Sequence, residues 1–317
     1  MRILFTGASS FTGYWFVQQL AAQGHQLVMP MRRTLEAYEG VRRERVLRAG
    51  RCGEAVFQCA FGDERFLDLI SASSRWDVLC HHAADVTDYR SPDFDISAAL
   101  HNNTNNLRRV LEAMTGRGCR RIVLTGSVFE PDEGAGSEGL PAFSPYGVSK
   151  ALTAQVVEYY AQVAGMRLGK FVIPNPFGPY EEPRFTQYLL RTWFEGGTAS
   201  VRTPDYVRDN IHVSLLARAY ARFVASLPES PGRDRLNPSG YIESQGTFAE
   251  RVAREMRLRL GLTCELELGK QTEFDEPRIR VNTDPLDADA LGWDEDAAWD
   301  ELASYYTGVL GTDAARK

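Results

Sequence analysis

Metal-ligand and disulfide spacings are both missing from this chain. Its five cysteines, Cys52, Cys59, Cys80, Cys119 and Cys264, are odd in number and form no CxxC or Cys/His ligand pattern. That argues against a zinc module or a disulfide scaffold and predicts no metal, with reduced thiols in a cytoplasmic setting. Long apolar runs are missing as well. Polar residues interrupt each one before it reaches spanning length, and no basic segment followed by an apolar one opens the chain, so no membrane association is expected. Positive charge is not in excess: the net charge is -6 and the pI about 5.5. A general affinity for nucleic acid or anionic lipid is thereby disfavoured. Arginines do crowd the stretch from Arg32 to Arg51, but Glu36, Glu39 and Glu44 interleave with them. That stretch reads as a solvated helix face.

What is present is alternation. RILFT, HQLVMPM, EAVFQCAF, WDVLCHHAA, RRIVLTGS and RLGKFVIP read as strands. Between them lie helical patterns, among them FTGYWFVQQLAAQG, a single long helix AALHNNTNNLRRVLEAM, and SPYGVSKALTAQVVEYYAQVAG. Strand–helix alternation predicts an α/β fold, a Rossmann-type doubly wound parallel sheet with helices on both faces. After residue 173 the texture shifts to the Pro- and Gly-rich NPFGPYEEP and shorter elements. We expect a dinucleotide-binding domain over 1–173 and a smaller C-terminal lobe, mainly substrate-binding, over 174–317, with some segments returning to the sheet.

The first strand runs into TGASSFTG, with Gly7 and Gly13 flanking Ser10 and Phe11 just where a helix starts. Such a turn lets main chain approach a dinucleotide pyrophosphate, and the helix N-terminus offers free N–H groups and a positive dipole end. Ser10 stands where the middle glycine would be, and its hydroxyl could donate to a phosphate oxygen. An NAD site ordinarily places an acid about 20 residues after the glycines. That acid is missing: the position falls at Met31, followed by Arg32 and Arg33. Guanidinium groups there suit the 2′-phosphate of NADP(H) over NAD(H).

SPYGVSK places Tyr146 and Lys150 one turn apart on a helix face. An ammonium beside a phenol favours phenolate and brings a general acid/base toward neutral pH. In this context the chain resembles the extended short-chain dehydrogenase/reductases of the nucleotide-sugar epimerase/dehydratase group, over nearly its whole length. TGASSFTG resembles the cofactor motif, FGD ending at Asp63 the GD that borders adenine, and HHAA ending at Ala83 and Ala84 the close of the fourth strand. YGVSK resembles the catalytic YxxxK. IPNPFGP resembles the sixth-strand motif, with Pro174 by the nicotinamide and Asn175 facing the substrate diphosphate. VRDNIHV resembles RDxxHV, whose arginine, here Arg208, binds that diphosphate, and DADALGW resembles a C-terminal helix motif.

The resemblance implies hydride transfer at a sugar carbon of a nucleotide-diphosphate sugar. Tyr146 would exchange the proton, Lys150 would hold the nicotinamide ribose, and Ser127 or Thr125 would hydrogen-bond the sugar oxygen; matching TGS to the family's strand end favours Ser127. Thr87 and Tyr180 are further substrate-side candidates, from their loops at the sheet's carboxyl edge. The arginine pair tilts the expectation to NADPH-dependent reduction of a 4-keto nucleotide sugar. A 4-epimerase or dehydratase is the alternative, and a non-catalytic NADP-binding regulator of the same fold a remoter one. A dehydratase needs a second acid/base pair, and Glu130, the nearest carboxylate, reads as part of an exposed acidic loop. The helix after the fourth strand lacks a clean NxxGT, with Leu100 at the Asn position and Asn103 at the Gly. His101 and His212 lie away from the catalytic loop. The two long helices, with Leu152, Val156, Tyr159 and Tyr160 on one flank, resemble the family's four-helix homodimer interface.

Overall fold

The structure, a computed structural model, describes residues 1–89 and 91–314. They form two units. The first comprises 1–133, 140–173 and 217–237, and the second 134–139, 174–216 and 238–317.

The first unit is built on seven strands: β1 (Arg2–Thr6), β2 (Gln26–Met31), β3 (Glu54–Phe57), β4 (Val78–His81), β5 (Arg121–Ser127), β7 (Arg167–Ile173) and β11 (Gly232–Leu236). They pair in the order β11-β7-β5-β4-β1-β2-β3, all parallel. The order reverses between β1 and β4, the switch point at which sheets of this kind bind ligands beyond the carboxyl ends of their strands. Sheet strands covered on both faces are apolar throughout rather than alternating, which is why RILFT reads as one run.

Helices α1 (Phe11–Ala22), α2 (Gly40–Ala49), α3 (Glu64–Ala72), α4 (Ile96–Thr104), α5 (Leu107–Gly116) and α6 (Pro145–Val163) cover the sheet. One core joins Leu4, Ile70, Trp76, Val110, Met114 and Val157. In another aromatic cluster Phe16 stacks on Tyr220 at 4.0 Å, with Phe5 and Phe171 edge-on to Tyr220.

The single helix expected behind β4 is instead two, α4 and α5. Asn106 takes a left-handed conformation at φ 49, and its side chain donates to the Gly62 carbonyl at 2.8 Å while that of Asn105 donates to Phe61 at 3.4 Å. Asparagine tolerates that backbone and bonds locally, so the break sits where two asparagines meet the 61–62 turn.

In the second unit β10 (Val207–His212) pairs antiparallel with β13 (Tyr241–Ser244) and parallel with β8 (Asn175–Phe177) and β15 (Ile279–Val281), which pairs with β6 (Ala135–Gly136). Two small ladders join β9 (Ala199–Val201) to β14 (Leu266–Leu268) and β12 (Pro238–Ser239) to β16 (Asp284–Pro285). Helices α7 (Phe185–Phe194), α9 (Gln245–Leu260) and α10 (Glu295–Ala314) enclose a core of Phe177, Trp193, Phe248, Met256, Trp299 and Tyr306. Helix α8 (Val213–Ser226) begins in this unit and ends in the first. Among the described residues no helix is long and apolar enough to cross a membrane.

Candidate active site

The glycine turn after β1 packs main chain against main chain. Gly7 has φ +84, and a Cβ there would lie 2.7 Å from the Ala83 nitrogen at the exit of β4. Only glycine fits both requirements. Ser10 caps α1: its hydroxyl donates to the Gly7 carbonyl at 2.9 Å and accepts from Gly13 N–H at 3.1 Å. The Ser10 hydroxyl is thus engaged within the turn itself. The main-chain N–H groups of Phe11 and Thr12, in the first turn of α1, are the donors placed for a pyrophosphate. The cradle therefore fits a dinucleotide.

The arginine-rich stretch is not wholly a solvated face. Arg45 is fully buried and donates to the Ser9 carbonyl at 3.1 Å, and Arg42 donates to the Ser9 hydroxyl at 3.2 Å. Both brace the glycine turn from α2. Arg32 and Arg33 are exposed just past β2. Asp63 caps α3, its carboxylate accepting from Phe66 N–H at 2.7 Å and Ala60 N–H at 3.0 Å, so it shapes the turn beyond β3.

His82 links this turn to β5. Its Nε2 lies 3.0 Å from the Ser10 hydroxyl and 3.2 Å from that of Thr12, and its Nδ1 lies 2.9 Å from the Thr125 hydroxyl. Burial, with the neighbouring Lys150 charge, holds its pKa down at about 3, so the ring is neutral. The Thr125 side chain is thus engaged within the core, 3% exposed. Ser127, at the end of the strand, is half-buried, and its hydroxyl accepts from Phe129 N–H at 3.2 Å.

Helix α6 brings the remaining groups to β5. Pro145 opens it, and Gly147 allows close approach: a Cβ there would sit 2.1 Å from the Phe129 carbonyl oxygen. The half-buried Tyr146 ring is flanked edge-on by Tyr89 at 5.6 Å and Phe94 at 6.0 Å. Lys150 is buried, and its ammonium donates to the Thr125 carbonyl at 2.5 Å. Burial lowers its pKa to about 8; Glu130 works to raise it and Lys170 to lower it further.

Glu130 corrects another expectation. It is 1% exposed, turned inward by the short loop, and accepts from Ser127 N–H at 2.7 Å and Lys170 Nζ at 2.6 Å. Asn103, given no role from sequence, is a buried hub. Its side-chain oxygen accepts from Asp85 N–H, its amide donates to Thr153 of α6, and its carbonyl lies 2.9 Å from Nε2 of His81. A broken NxxGT pattern hides it, because it depends on where the helix kinks. Ala83 and Ala84 line the β4 exit half-buried, and Thr87 is exposed beyond them.

Pro174, Asn175, Tyr180 and Arg208 belong to the second unit. Pro174 is buried at the start of that unit. Asn175 pairs with Asn210, and its buried Nδ2 has no acceptor among the described residues. Tyr180 has φ +69 and packs on Tyr305 at 4.6 Å. The Arg208 guanidinium lies over Tyr206, donates to the Pro277 carbonyl at 3.0 Å and pairs with Glu276 at 2.9 Å. His212 is enclosed by Phe177, Trp293 and Trp299, with Nδ1 2.7 Å from the Ser214 hydroxyl.

A glycine cradle on β1, a Tyr-x-x-x-Lys helix and a strand-end serine occur here in one doubly wound unit. The profile of the NAD dependent epimerase/dehydratase family matches residues 3–237. The chain belongs to that family. Among curated proteins it is similar to a UDP-glucose 4-epimerase of Mycolicibacterium smegmatis, 27% identical over 94% of this chain and 95% of the relative. The fold matches a UDP-glucose 4-epimerase of Thermotoga maritima solved with UDP-glucose, with TM-score 0.72, 18% identity, and coverage of 98% of this chain and 100% of that one. It also matches a Bacillus cereus UDP-glucuronic acid 4-epimerase variant solved with a fluorinated substrate analogue and NAD, with TM-score 0.75, 16% identity, and coverage of 98% and 100%.

Proposed function

We propose that this protein interconverts a nucleotide-diphosphate sugar with its C4 epimer. The observation that carries the reading is the placement of Tyr146 and Lys150 on α6 beside the end of β5, with Ser127 half-buried and Thr125 tied to His82. Similarity to 4-epimerases over almost the whole chain supports it.

Bound dinucleotide supplies the hydride acceptor. Tyr146 as phenolate would take the proton of the sugar C4 hydroxyl as C4 gives up its hydride, and would hand that proton back to the same oxygen once the 4-keto sugar has turned to accept the hydride on its other face. Ser127 holds the same oxygen. Lys150, fixed on the Thr125 carbonyl, favours the phenolate and would hold the nicotinamide ribose. Asn175 and Arg208 are assigned to the diphosphate and Pro174 to the nicotinamide side. Tyr159 and Val163, exposed on α6 at 61% and 65%, support a homodimer through α5 and α6.

A second reading is NADPH-dependent reduction of a 4-keto nucleotide sugar, favoured by Arg32 and Arg33 in place of an acid past β2. Dehydration is disfavoured, because Glu130 is held by Ser127 and Lys170. Incubation with NADH or NADPH and a panel of 4-hydroxy and 4-keto nucleotide sugars separates the readings. Product isomers without net cofactor consumption are expected. Consumption selects the reductase, and cofactor binding with neither outcome selects a non-catalytic protein. Replacing Arg32 and Arg33 with Ala weakens NADPH binding about 10-fold or more relative to NADH if they read a 2′-phosphate.

A further inference from the structure

A string of buried charge that the proposed chemistry does not use lies behind Ser127. Glu130, Glu133 and Lys170 are 1%, 4% and 9% exposed. Glu130 accepts from Ser127 N–H through Oε1 at 2.7 Å and from Lys170 Nζ through Oε2 at 2.6 Å. Lys170 also donates to Glu133 Oε1 at 2.7 Å, and the other Glu133 oxygen accepts from Asn237 at 3.0 Å and from Arg235. The string ties the loop after β5 to β7 and β11. Burying several ions is costly unless each is well paired, and an apolar set of equal volume often serves stability as well. Stability alone therefore gives weak reason for these charges.

Position gives a better one. The Thr125–Ser127 segment is held from two directions: the Thr125 carbonyl accepts from Lys150, and the Ser127 N–H donates to Glu130. The charges around Lys150 can be named element by element. At the end of β4 and just past it, His81 and His82 are neutral, burial holding them at about 4 and about 3. In the following loop, Asp85 is engaged with Thr87 and Asn102. From β7 the Lys170 ammonium repels Lys150, and from the loop after β5 Glu130 attracts it. Glu133 is engaged with Lys170, Arg235 and Asn237.

We propose that Glu130 is a positioning residue of this site: it sets the main chain of Ser127 and places a buried negative charge behind the strand end whose Thr125 carbonyl holds Lys150. The proposal rests on the reading of Tyr146, Lys150 and Ser127 as the acid/base group. Its test does not need a sugar. The Tyr146 phenolate is titrated by its ultraviolet absorbance, each protein being compared with its Tyr146→Phe counterpart.

Glu130→Gln keeps an oxygen for Ser127 N–H and removes the charge. Its Tyr146 midpoint rises by about one pH unit, and with a turned-over sugar kcat falls about 10-fold while KM holds. Glu133→Gln, which shares Lys170 but does not touch Ser127, leaves the midpoint in place. Glu130→Asp keeps the charge but is too short for Ser127: the midpoint stays and kcat falls. A folded Glu130→Gln with the wild-type midpoint overturns the proposal, as does an equal shift in Glu133→Gln. Where Glu130→Gln does not fold, wild-type kcat in Glu130→Asp overturns it. A moved midpoint in a protein that turns over no nucleotide sugar rejects the epimerase reading and leaves this one standing.

Discussion

The Lys150 ammonium donates to the Thr125 main-chain carbonyl at 2.5 Å, one helical turn after Tyr146. This bond fixes a cation against the strand that ends in Ser127, and so divides labour between two candidate hydroxyls. Thr125 contributes its carbonyl, and its side chain serves His82.

Ser127→Ala and Thr125→Val should therefore differ in kind. Removing the Ser127 hydroxyl lowers kcat by about 10- to 100-fold with little change in melting temperature. Thr125→Val leaves His82 Nδ1 without its partner and costs about 1–3 kcal/mol of stability. Steady-state kinetics beside thermal melts decide it; a larger kcat loss and unchanged stability in Thr125→Val would reverse the assignment.

Lys150 sets an alkaline limit. Its pKa lies at about 8 in the folded chain, against 10.5 unperturbed, chiefly through burial. Turnover falls as pH rises through about 8, when the ammonium is lost. Between those two values the unfolded chain binds the extra proton, so this residue's contribution to stability rises with pH. Activity lost above that limit should return on lowering the pH, with no unfolding attributable to Lys150 in melts taken alongside.

Glu181 in the second unit behaves in the opposite sense. It is buried, accepts from the Tyr306 hydroxyl at 3.0 Å, and burial raises its pKa from 4.5 to about 8. The folded chain holds the proton more tightly across that window, so stability is lost as pH rises from 4.5 through about 8. Glu181→Gln keeps the hydrogen bond without the titration. Its melting temperature should gain on wild type as pH rises across this window, and a constant offset would contradict the buried-acid account.

His82 titrates to the reverse effect. Its unperturbed value is 6.5 and its folded value about 3, so the unfolded chain takes the proton first as pH falls. The stability it contributes is complete above 6.5 and declines through the acid range toward 3. His82→Gln should be destabilised at neutral pH by about 1–3 kcal/mol. That deficit should narrow as pH is lowered, because wild type loses what the variant already lacks. Comparing the two proteins by melts at each pH removes the opposing Glu181 contribution.

Much of the fold was legible because its signals are local. The apolar runs RILFT and WDVLCHH place β1 and β4, the glycine turn marks the start of α1, and the spacing of Tyr146 and Lys150 makes sense on a helix. What could not be read depended on contacts far apart in the chain. Arg45 looks solvated among glutamates, yet it reaches a carbonyl 36 positions earlier. Asn103 gains its role from His81, Asp85 and Thr153. The break between α4 and α5 depends on the distant 61–62 turn.

By itself the sequence determined the parallel α/β unit and the helix carrying phenol and amine, since hydrophobic period, glycine conformation and helical pitch act over neighbouring residues. Only the tertiary structure decided that Glu130 turns inward and that Thr125 is claimed by a histidine. A side chain's partner depends on which strands lie side by side, and Lys170 and His82 meet β5 only once β4, β5 and β7 have paired.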